Sequence, residues 1–250
     1  PKISKDALLR LGNKFDGGYV VSNKIIKNAE CLITFGLGDN FSFEANFKKI
    51  RPKSKILVYD HTVNIFFWIK HFLFWLFHNF RYRRVDKRFL TLIKYFIFFN
   101  GSKVFHYNLK IVKNISNKYK EINLKKIINV HKINPKKTIL KIDIEENEYK
   151  ILDNLQEYNF LCVIIEFSKL KKNFWKVKKF IKKLKNMSII HVHANNFEPI
   201  DKNGWPVHLE VTFIQNKFVN KKQKNTKSYP VKNLDFPNNP LKKDIELKFT

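Results

Sequence analysis

The sequence predicts an α/β fold built on a mostly parallel sheet. Apolar segments of strand length alternate with helix-like stretches, which is the pattern of repeated β/α units. The last two strand segments are joined by the polar, turn-rich link NNFEPIDKNGWPV, which has no room for a crossover helix, so these strands should pair antiparallel. At 250 residues with 44% hydrophobic residues, the chain can bury one full core. We expect one domain over residues 1–216 and an extension over 217–250.

The individual elements follow from local patterns. Apolar, β-branched segments predict strands, and apolar residues at helical spacing predict helices. Residues 217–250 are rich in Lys, Asn and Pro with little periodicity, so we expect a loosely packed segment without a chemical role. Predicted strands cover 31–35, 56–60, 103–107, 138–143, 161–167, 188–194 and 208–215, and predicted helices cover 42–50, 120–131, 146–156 and 170–186.

The chain is strongly basic, with a formal net charge of +28 from 49 basic and 21 acidic residues. Such a balance suits a partner that carries phosphates, either a nucleic acid or an anionic membrane surface. Few of the basic residues are Arg, which is favoured for bidentate contacts with phosphates and bases, so a nucleic-acid partner is disfavoured. Cys31 and Cys162 lie in apolar strand-like segments, and the first residues contain no long apolar stretch. We therefore expect a cytoplasmic protein, or one attached peripherally to a membrane.

A glycine-containing turn follows the strand at 31–35. In LITFGLGDNFSFE the chain passes through Gly36 and Gly38 into the start of a helix. Such a turn lets the backbone approach a ligand at the carboxyl ends of the strands, although an ordinary strand-to-helix turn has the same pattern. The next strand ends in Asp60, where an acidic side chain can accept both hydroxyls of a ribose. Because nothing suggests a pyrophosphate site, the two features favour an adenosyl ligand without phosphates.

Four carboxylates gather in LKIDIEENEYKIL, residues 140–152. Glu146 and Glu148 would open a helix together with Glu145, and a helix dipole favours negative charge in the first turn. That explanation does not extend to Asp143, which lies where the fourth strand should end. A strand-terminal Asp at a ligand cleft can orient a substrate hydroxyl, act as a general base or bind a metal.

Further polar side chains follow the last strands. Alternation along the strands places Glu166, His193, Asn195 and His208 at the edge where Asp143 lies, so these five residues should converge on one cleft. A structural role for the histidines is the alternative. We assign Asp143 as the group that orients or deprotonates a substrate. Supporting groups, or ligands of a divalent metal, would be Glu166, His193 and His208, together with Asp143 itself in the case of a metal.

Several of these segments are parts of one ordered set of motifs over roughly residues 10–215. The motifs are DGGYVV (16–21), ITFGLGDNFSFE (33–44), VYDHT (58–62), LKIDIEENEYKIL (140–152) and VIIEFS (163–168). In this order they resemble the FkbM-type family of S-adenosylmethionine-dependent methyltransferases. The resemblance implies a Rossmann-like class I methyltransferase sheet, mostly parallel with an antiparallel last hairpin strand. It also implies S-adenosylmethionine as cofactor and O-methylation of a saccharide hydroxyl.

The resemblance implies roles for individual residues as well. Asp60 would hold the ribose of the cofactor, with His61 beside it, and Asp143 and Glu145 would face the reacting centre. This chain departs from the family pattern at Glu146, where a small glycine usually follows the DIE motif. A sugar hydroxyl is a poor acid, so the reaction needs a carboxylate or histidine base, or a divalent cation. The other cofactor-binding residues would be Asp16, Gly17, Gly18, Tyr19, Gly36, Gly38 and Asp39.

Residues 63–99 are an aromatic insertion between the second and third strands, where a compact β/α unit needs only one helix. Asn64, His71 and His78 recur every seven residues, so a helix there would carry one narrow polar stripe. Lys70 interrupts the first apolar run and the second run is short, which argues against transmembrane helices. One interpretation is a helical pair packed on the sheet or at a dimer interface. The other is a hairpin lying on an anionic membrane and presenting a lipid-linked saccharide, with a contribution from Arg81, Arg83, Arg84 and Arg88.

Two further functions compete with saccharide methylation. The net charge is compatible with methylation of a nucleic acid, which would show salt-sensitive binding to RNA or DNA. A basic scaffolding protein at a membrane could retain a degenerate methyltransferase fold, and it would bind lipid vesicles without binding the cofactor.

Overall fold

A computed structural model describes residues 8–82, 87–116, 120–219 and 228–247. Its strands and helices alternate along most of the chain, as the sequence predicts. In order they are β1 (Leu8–Leu11), β2 (Tyr19–Ser22), α1 (Asn23–Asn28), β3 (Cys31–Phe35), α2 (Ser42–Ile50), β4 (Lys55–Tyr59), α3 (Ile65–Tyr82), α4 (Lys87–Phe99), β5 (Val104–Tyr107), β6 (Lys110–Ile111), β7 (Glu121–Ile122), α5 (Leu124–His131), β8 (Thr138–Ile142), α6 (Glu148–Leu155), β9 (Cys162–Phe167), α7 (Leu170–Lys183), β10 (Met187–Asn195) and β11 (His208–Gln215).

The central sheet of the described residues has seven strands in the order β10-β11-β9-β8-β3-β4-β5. Strands β5, β4, β3, β8 and β9 are parallel, and β11 runs antiparallel to both of its neighbours, β9 and β10. This order, with the antiparallel last strand inserted beside β9, is the Rossmann-like class I methyltransferase sheet. The predicted fold class and the antiparallel pairing of the final two strands are therefore confirmed.

The core explains why these strands read as uninterrupted apolar runs. Every residue of β3, β8 and β9 is buried, because helices cover both faces of the parallel part of the sheet. The chain adds β4 and β5 on one side of β3 and returns to add β8 and β9 on the other. Adjacent parallel strands that are followed by oppositely directed connections leave a crevice at their carboxyl ends. The fold thus places a ligand crevice beyond the ends of β3 and β8.

Two predicted helices begin later than expected. The helix expected from residue 120 begins at Leu124, because Glu121–Ile122 pairs with β6, and the side chain of Asn123 caps the helix by accepting the backbone N–H of Lys126. The helix expected from residue 146 begins at Glu148. Glu145 and Glu146 have φ angles of 38° and 62°, which are not helical, so they form a left-handed turn before it.

The C-terminal extension is more tightly packed than predicted. In its described part, residues 228–247, Tyr229, Val231 and Leu234 are buried against the body of the protein. Asn196, at the end of β10, holds this segment: its side-chain amide donates to the carbonyl oxygens of residues 239, 242 and 243 at 3.1–3.2 Å. The expectation of a loosely packed tail is wrong for 228–247, because its anchoring contacts are long-range and leave no periodic pattern.

The insertion at 63–99 forms the two helices α3 and α4. Trp68 and Tyr95 are buried where the helices meet the body, with their ring centroids 4.6 Å apart, and Phe41 packs against Tyr95. No described helix is both long and apolar enough to cross a membrane. Arg83 and Arg84 lie outside the described residues, as do the side chains of His78, Arg81 and Arg88.

Candidate active site

A cavity of about 430 Å³ lies at the carboxyl ends of β3, β4 and β8, in the crevice that the strand order creates. Its volume falls within the range of roughly 300–1,000 Å³ that is usual for small-molecule sites. Nine residues predicted for the site line it: Asp16, Gly17, Gly36, Gly38, Asp39, Asp60, His61, Asp143 and Glu145. Gly18, Tyr19, Glu166, His193 and His208 are not among the lining residues.

The two glycines of the turn after β3 have different functions. Gly36 has a φ of 82°, and a Cβ added there would lie 1.7 Å from the carbonyl oxygen of Asp143. Only glycine lets the ends of β3 and β8 approach this closely. Gly38 has a φ of 58°, but an added Cβ would meet no described atom within 4 Å. A side chain at Gly38 would therefore project into open space at the cavity.

Asp60 fixes this turn from the end of the neighbouring strand. One carboxylate oxygen accepts the backbone N–H groups of Leu37 at 2.7 Å and Gly38 at 3.1 Å. The other accepts the backbone N–H and the hydroxyl of Thr62 at 2.8 and 2.6 Å. Burial acts to raise the pKa of Asp60, but these hydrogen bonds outweigh it and lower the pKa. The carboxylate is ionised. A ribose hydroxyl would hydrogen-bond to the same two carboxylate oxygens that accept the hydrogen bonds of the turn.

The turn between β1 and β2 closes one side of the cavity. The side-chain amide of Asn40 donates to the carbonyl oxygen of Asp16 at 2.9 Å, which joins this turn to the glycine turn. A Cβ added at Gly17 would lie 2.0 Å from the same amide nitrogen, so glycine is needed for the contact. Strand β2 is held against the sheet by the hydroxyl of Thr212, which donates to the carbonyl oxygen of Val20 at 2.8 Å.

Tyr19 links two carboxylates beneath the cavity. Its hydroxyl oxygen lies 2.9 Å from Asp143 Oδ2 and 3.3 Å from Glu166 Oε2. Burial raises the pKa of Glu166 well above its usual value, and the charges of Asp143 and Glu210 raise it further. Because one hydroxyl proton cannot serve both carboxylates, the consistent arrangement has a protonated Glu166 donating to Tyr19 and Tyr19 donating to Asp143. Asp143 is then the acceptor at the end of this hydrogen-bond chain, at the cavity wall.

The other predicted members of the cluster separate into two groups. The side-chain amide of Asn195 donates to Glu166 Oε1 at 3.1 Å, and His208 Nδ1 lies 3.8 Å from the same oxygen. His193 belongs to a different network and does not reach the cavity. Its Nδ1 lies 3.3 Å from Glu210 Oε2 and its Nε2 lies 3.1 Å from Asp244.

The network around His193 connects the C-terminal segment to the site. Burial acts to lower the pKa of His193, but its hydrogen bonds to Asp244 and Glu210 outweigh this and raise the pKa to about 10. The side-chain amide of Asn238 lies 2.9 Å from Glu210 Oε1 and 3.4 Å from Oδ1 of Asp16, which lines the cavity. His193 is therefore held by carboxylates of β11 and of the C-terminal segment, outside the cavity lining.

The described residues contain no group of three or more His, Cys, Asp or Glu side chains placed to hold one metal ion. Glu166 and His208 are close to each other, whereas His193 is bound by other carboxylates. The metal set predicted from the sequence, Asp143, Glu166, His193 and His208, stays a prediction.

Lys141 is a site residue that the sequence reasoning missed. It lies within β8, is 3% exposed and lines the cavity. Its Nζ is 3.8 Å from Oε1 of the buried Glu44 and 5.0 Å from the centroid of the Tyr19 ring. Glu44 in turn accepts a hydrogen bond from the hydroxyl of Thr34 at 2.8 Å. The sequence could have indicated this residue, because a lysine inside the apolar segment TILKID should be buried, and buried lysines are rare unless they are paired.

The remaining two glutamates of the acidic segment lie outside the cavity lining. Glu148 is buried in the first turn of α6, where its Oε1 accepts the backbone N–H of Ser168 at 2.8 Å and burial raises its pKa to about 7. Glu146 forms ion pairs with Lys169 and Lys172. The helix-dipole explanation places Glu148 correctly but not Glu146, which precedes the helix.

Comparisons with known proteins identify no relative by sequence, since neither a family model nor a curated protein matches this chain. Among solved structures, the chain is similar to a fibrillarin pre-rRNA processing protein of Methanococcus jannaschii, with 11% identity, 76% of this chain and 68% of that chain covered, and a TM-score of 0.40. M. jannaschii TYW2 in complex with AdoMet gives 9% identity, 77% and 73% coverage, and a TM-score of 0.38. The plantazolicin methyltransferase BpumL in complex with SAH gives 12% identity, 74% and 76% coverage, and a TM-score of 0.37. At such low similarity, the fold assignment rests on the strand order itself.

Proposed function

We propose that this protein transfers a methyl group from S-adenosylmethionine to a hydroxyl of a saccharide, either free or lipid-linked. The observation that carries the proposal is the charge of the cavity. In a chain with a net charge of +28, the cavity is lined by five carboxylates and only two lysines. The carboxylates are Asp16, Asp39, Asp60, Asp143 and Glu145, and the lysines are Lys110 and Lys141.

A lining with more carboxylates than ammonium groups favours a cationic ligand over a phosphate-bearing one. S-adenosylmethionine carries a sulfonium and an ammonium group and has no phosphate. The glycine turn that Asp60 holds by hydrogen bonds would bind the ribose, as in other nucleotide-binding α/β sheets. The same lining argues against ATP or NAD, and it disfavours a nucleic-acid acceptor because backbone phosphates would approach these carboxylates.

The acceptor class is supported by the resemblance to the FkbM-type family and by the polarity of the wall. Carboxylates together with the amides of Asn40 and Asn147 and the hydroxyl of Thr62 can hydrogen-bond several hydroxyl groups of a sugar. An aromatic or aliphatic acceptor would remove water from the charged carboxylates of the wall without hydrogen-bonding them, which opposes binding.

The chain's own groups can perform the steps that the transfer requires. When bound, S-adenosylmethionine would supply an electrophilic methyl group, and its sulfur would leave as the neutral thioether of S-adenosylhomocysteine. The cavity wall holds the reactants together, and Asp143 accepts the hydroxyl proton as the new C–O bond forms. Tyr19 and the protonated Glu166 keep Asp143 oriented by the hydrogen-bond chain described above. Glu145, also at the wall, would bind the acceptor.

Cofactor binding is tested by titrating S-adenosylhomocysteine into the purified protein in a calorimeter. The informative variant is Gly38→Asn, since Asn tolerates a left-handed backbone and its side chain would enter the cavity. Gly204→Asn is the matched control, because Gly204 has a φ of 79° and an added Cβ meets no described atom within 4 Å, away from the cavity. We expect saturable binding by the wild type and by Gly204→Asn, loss of binding by Gly38→Asn, and no binding of ATP.

If the folded wild type does not bind S-adenosylhomocysteine, the methyltransferase proposal fails and the non-catalytic scaffold is the better explanation. The acceptor class needs a separate assay with S-adenosylmethionine labelled in its methyl group. We expect label in saccharide or lipid-linked saccharide fractions. Label confined to RNA, with a steep salt dependence of RNA binding, would instead support nucleic-acid methylation.

A further inference from the structure

Helices α3 and α4 expose an unusual amount of apolar surface. More than half of the large apolar side chains that are exposed in the described residues belong to these two helices. On α3, Phe66 is 75% exposed and Phe77 is 66% exposed. The exposed set on α3 is Ile65, Phe66, Ile69, Phe72, Leu73, Phe74, Leu76 and Phe77, and on α4 it is Leu90, Ile93, Phe96 and Ile97.

The exposed side chains lie on defined faces of the two helices. Ile65, Ile69, Leu73 and Phe77 recur every four residues, which places them on one side of α3, whereas Trp68 packs inward. Both helices thus point an apolar face away from the protein, which is the reverse of an ordinary surface helix. A continuous patch of this kind marks an interaction site.

Charge decides which partner this surface fits. Within the described parts of the two exposed faces, the charged residues are Lys70 and Lys94, both exposed and basic. The sequence from 63 to 99 contains seven basic residues and one acidic residue, and the whole chain carries +28. A second copy of the chain would bring like charges together, whereas an anionic lipid surface offers negative headgroups above an apolar interior.

The hairpin of α3 and α4 is also tied to the cavity. The first residue of α3, Ile65, comes three residues after Thr62, which lines the cavity, and His71 Nε2 lies 3.8 Å from Asp39 Oδ2. His106 connects α4 to the cavity, because one ring nitrogen is hydrogen-bonded to the hydroxyl of Tyr95 and the other lies 3.2 Å from the carbonyl oxygen of Asp60. A surface bound by the hairpin would therefore lie beside the site.

We propose that the α3–α4 hairpin docks this protein on an anionic lipid membrane, with its exposed aromatic and aliphatic side chains entering the headgroup region and its lysines contacting the lipid phosphates. The proposal does not depend on methyl transfer. Vesicle binding can be measured without cofactor or acceptor, so its failure and the failure of the proposed function are distinguishable.

The test is co-sedimentation with vesicles of phosphatidylglycerol and phosphatidylcholine, compared with phosphatidylcholine alone. We expect binding to the anionic vesicles that is stronger by on the order of tenfold and that weakens with added salt. The double variant Phe66→Ser/Phe77→Ser should lower partitioning by roughly tenfold or more, because two exposed aromatic side chains are lost from the lipid interface. Trp175→Ser/Leu241→Ser is the matched control, since these side chains are 75% and 93% exposed outside the hairpin.

A second pair of variants, equal to each other in net charge, tests the lysines. Lys70→Gln/Lys94→Gln should weaken binding to the anionic vesicles several-fold. Lys179→Gln/Lys182→Gln, on the exposed side of α7, removes the same two charges elsewhere and should have a smaller effect. Relative to the wild type, whose four native tryptophans fluoresce too, the emission added by Phe66→Trp should shift to the blue on anionic vesicles, and the emission added by Leu241→Trp should not.

Three results would overturn the proposal. The first is equal vesicle binding by the hairpin variants and their controls. The second is binding to neutral vesicles as strong as to anionic ones. The third is a wild-type dimer that Phe66→Ser/Phe77→Ser dissociates while no vesicle binding is detected, which would assign the surface to a second copy of the chain.

Discussion

Among single residues, Asp143 connects the sequence pattern with the chemistry. Its carboxylate lines the cavity at the end of β8 and accepts the hydroxyl of Tyr19 at 2.9 Å. We expect Asp143→Asn to lower the turnover number for methyl transfer by roughly 10²–10⁴-fold, because an amide cannot accept the acceptor's proton. Calorimetry should show nearly unchanged affinity for S-adenosylhomocysteine. Glu157→Gln, at an exposed position outside the cavity, is the control, and equal activity of the two variants would remove Asp143 from the mechanism.

Glu166 provides a prediction about stability at the same scale. Its folded-state pKa is raised by burial and by neighbouring carboxylates, so its contribution to stability is present below the unfolded pKa of about 4.3 and is lost as pH rises towards the folded pKa. Glu166→Gln removes the group that can ionise, while an amide oxygen can still accept from Asn195. We expect the variant to gain ~1–2 kcal/mol over the wild type at pH 8 and little near pH 4.5. Denaturant titrations at both pH values measure this, and a gain of equal size at both would contradict the assigned protonation.

The same residues show how far sequence reasoning reaches into the site. Gly36, Asp60 and Asp143 were predictable because each lies at a strand end, where a local pattern reveals its position. The contact of Tyr19 with Asp143 joins residues 124 positions apart, and it depends on how the β1–β2 hairpin packs on the sheet. No local pattern contains that information. His193 was assigned to the cleft because strand alternation gives a face but does not reveal the carboxylate partners that surround it.

At the scale of elements, the cavity depends on the close approach of the glycine turn after β3 to the end of β8. We expect Gly204→Ala to cost about 1 kcal/mol, since alanine is strained at its φ of 79° but meets no described atom. Gly36→Ala should cost ~3 kcal/mol or more, because its methyl group would also overlap the carbonyl oxygen of Asp143. Urea unfolding of the two variants gives the difference directly. Equal losses would mean that the ends of β3 and β8 do not approach each other this closely.

Strands and helices were predictable from the sequence where all their residues are buried. Their boundaries and packing were not predictable where long-range contacts determine them. Strands β3 and β9 are buried on both faces, so their sequences read as apolar runs with clear ends. The start of α6 was misplaced because Glu145 and Glu146 adopt left-handed backbone angles that glutamate rarely takes. Residues 228–247 were predicted to be loosely packed because their anchor, Asn196, follows the distant strand β10 and leaves no local pattern in them.

At the scale of the whole molecule, an acidic cavity lies within a strongly basic protein. The electrostatic potential of the net charge and that of the cavity carboxylates therefore act on a ligand at different distances. The net charge of +28 repels a cation over a Debye length, whereas the carboxylates at the cavity attract it at contact. S-adenosylmethionine carries one more positive charge than S-adenosylhomocysteine. Added salt screens the long-range repulsion more than the short-range attraction, since contacts within a few ångströms exclude ions.

The ratio of the Kd for S-adenosylmethionine to the Kd for S-adenosylhomocysteine should therefore fall, by about two- to threefold, as potassium chloride is raised from about 0.05 to 0.5 M. Calorimetric titration of both ligands at each salt concentration measures the ratio and cancels effects that the two ligands share. Lys179→Gln/Lys182→Gln lowers the net charge far from the cavity, so it should weaken the salt dependence without removing it. A ratio that rises with salt would mean that attraction by the cavity carboxylates is itself screened, which requires a cavity more open to solvent than its buried Asp60 and Lys141 indicate.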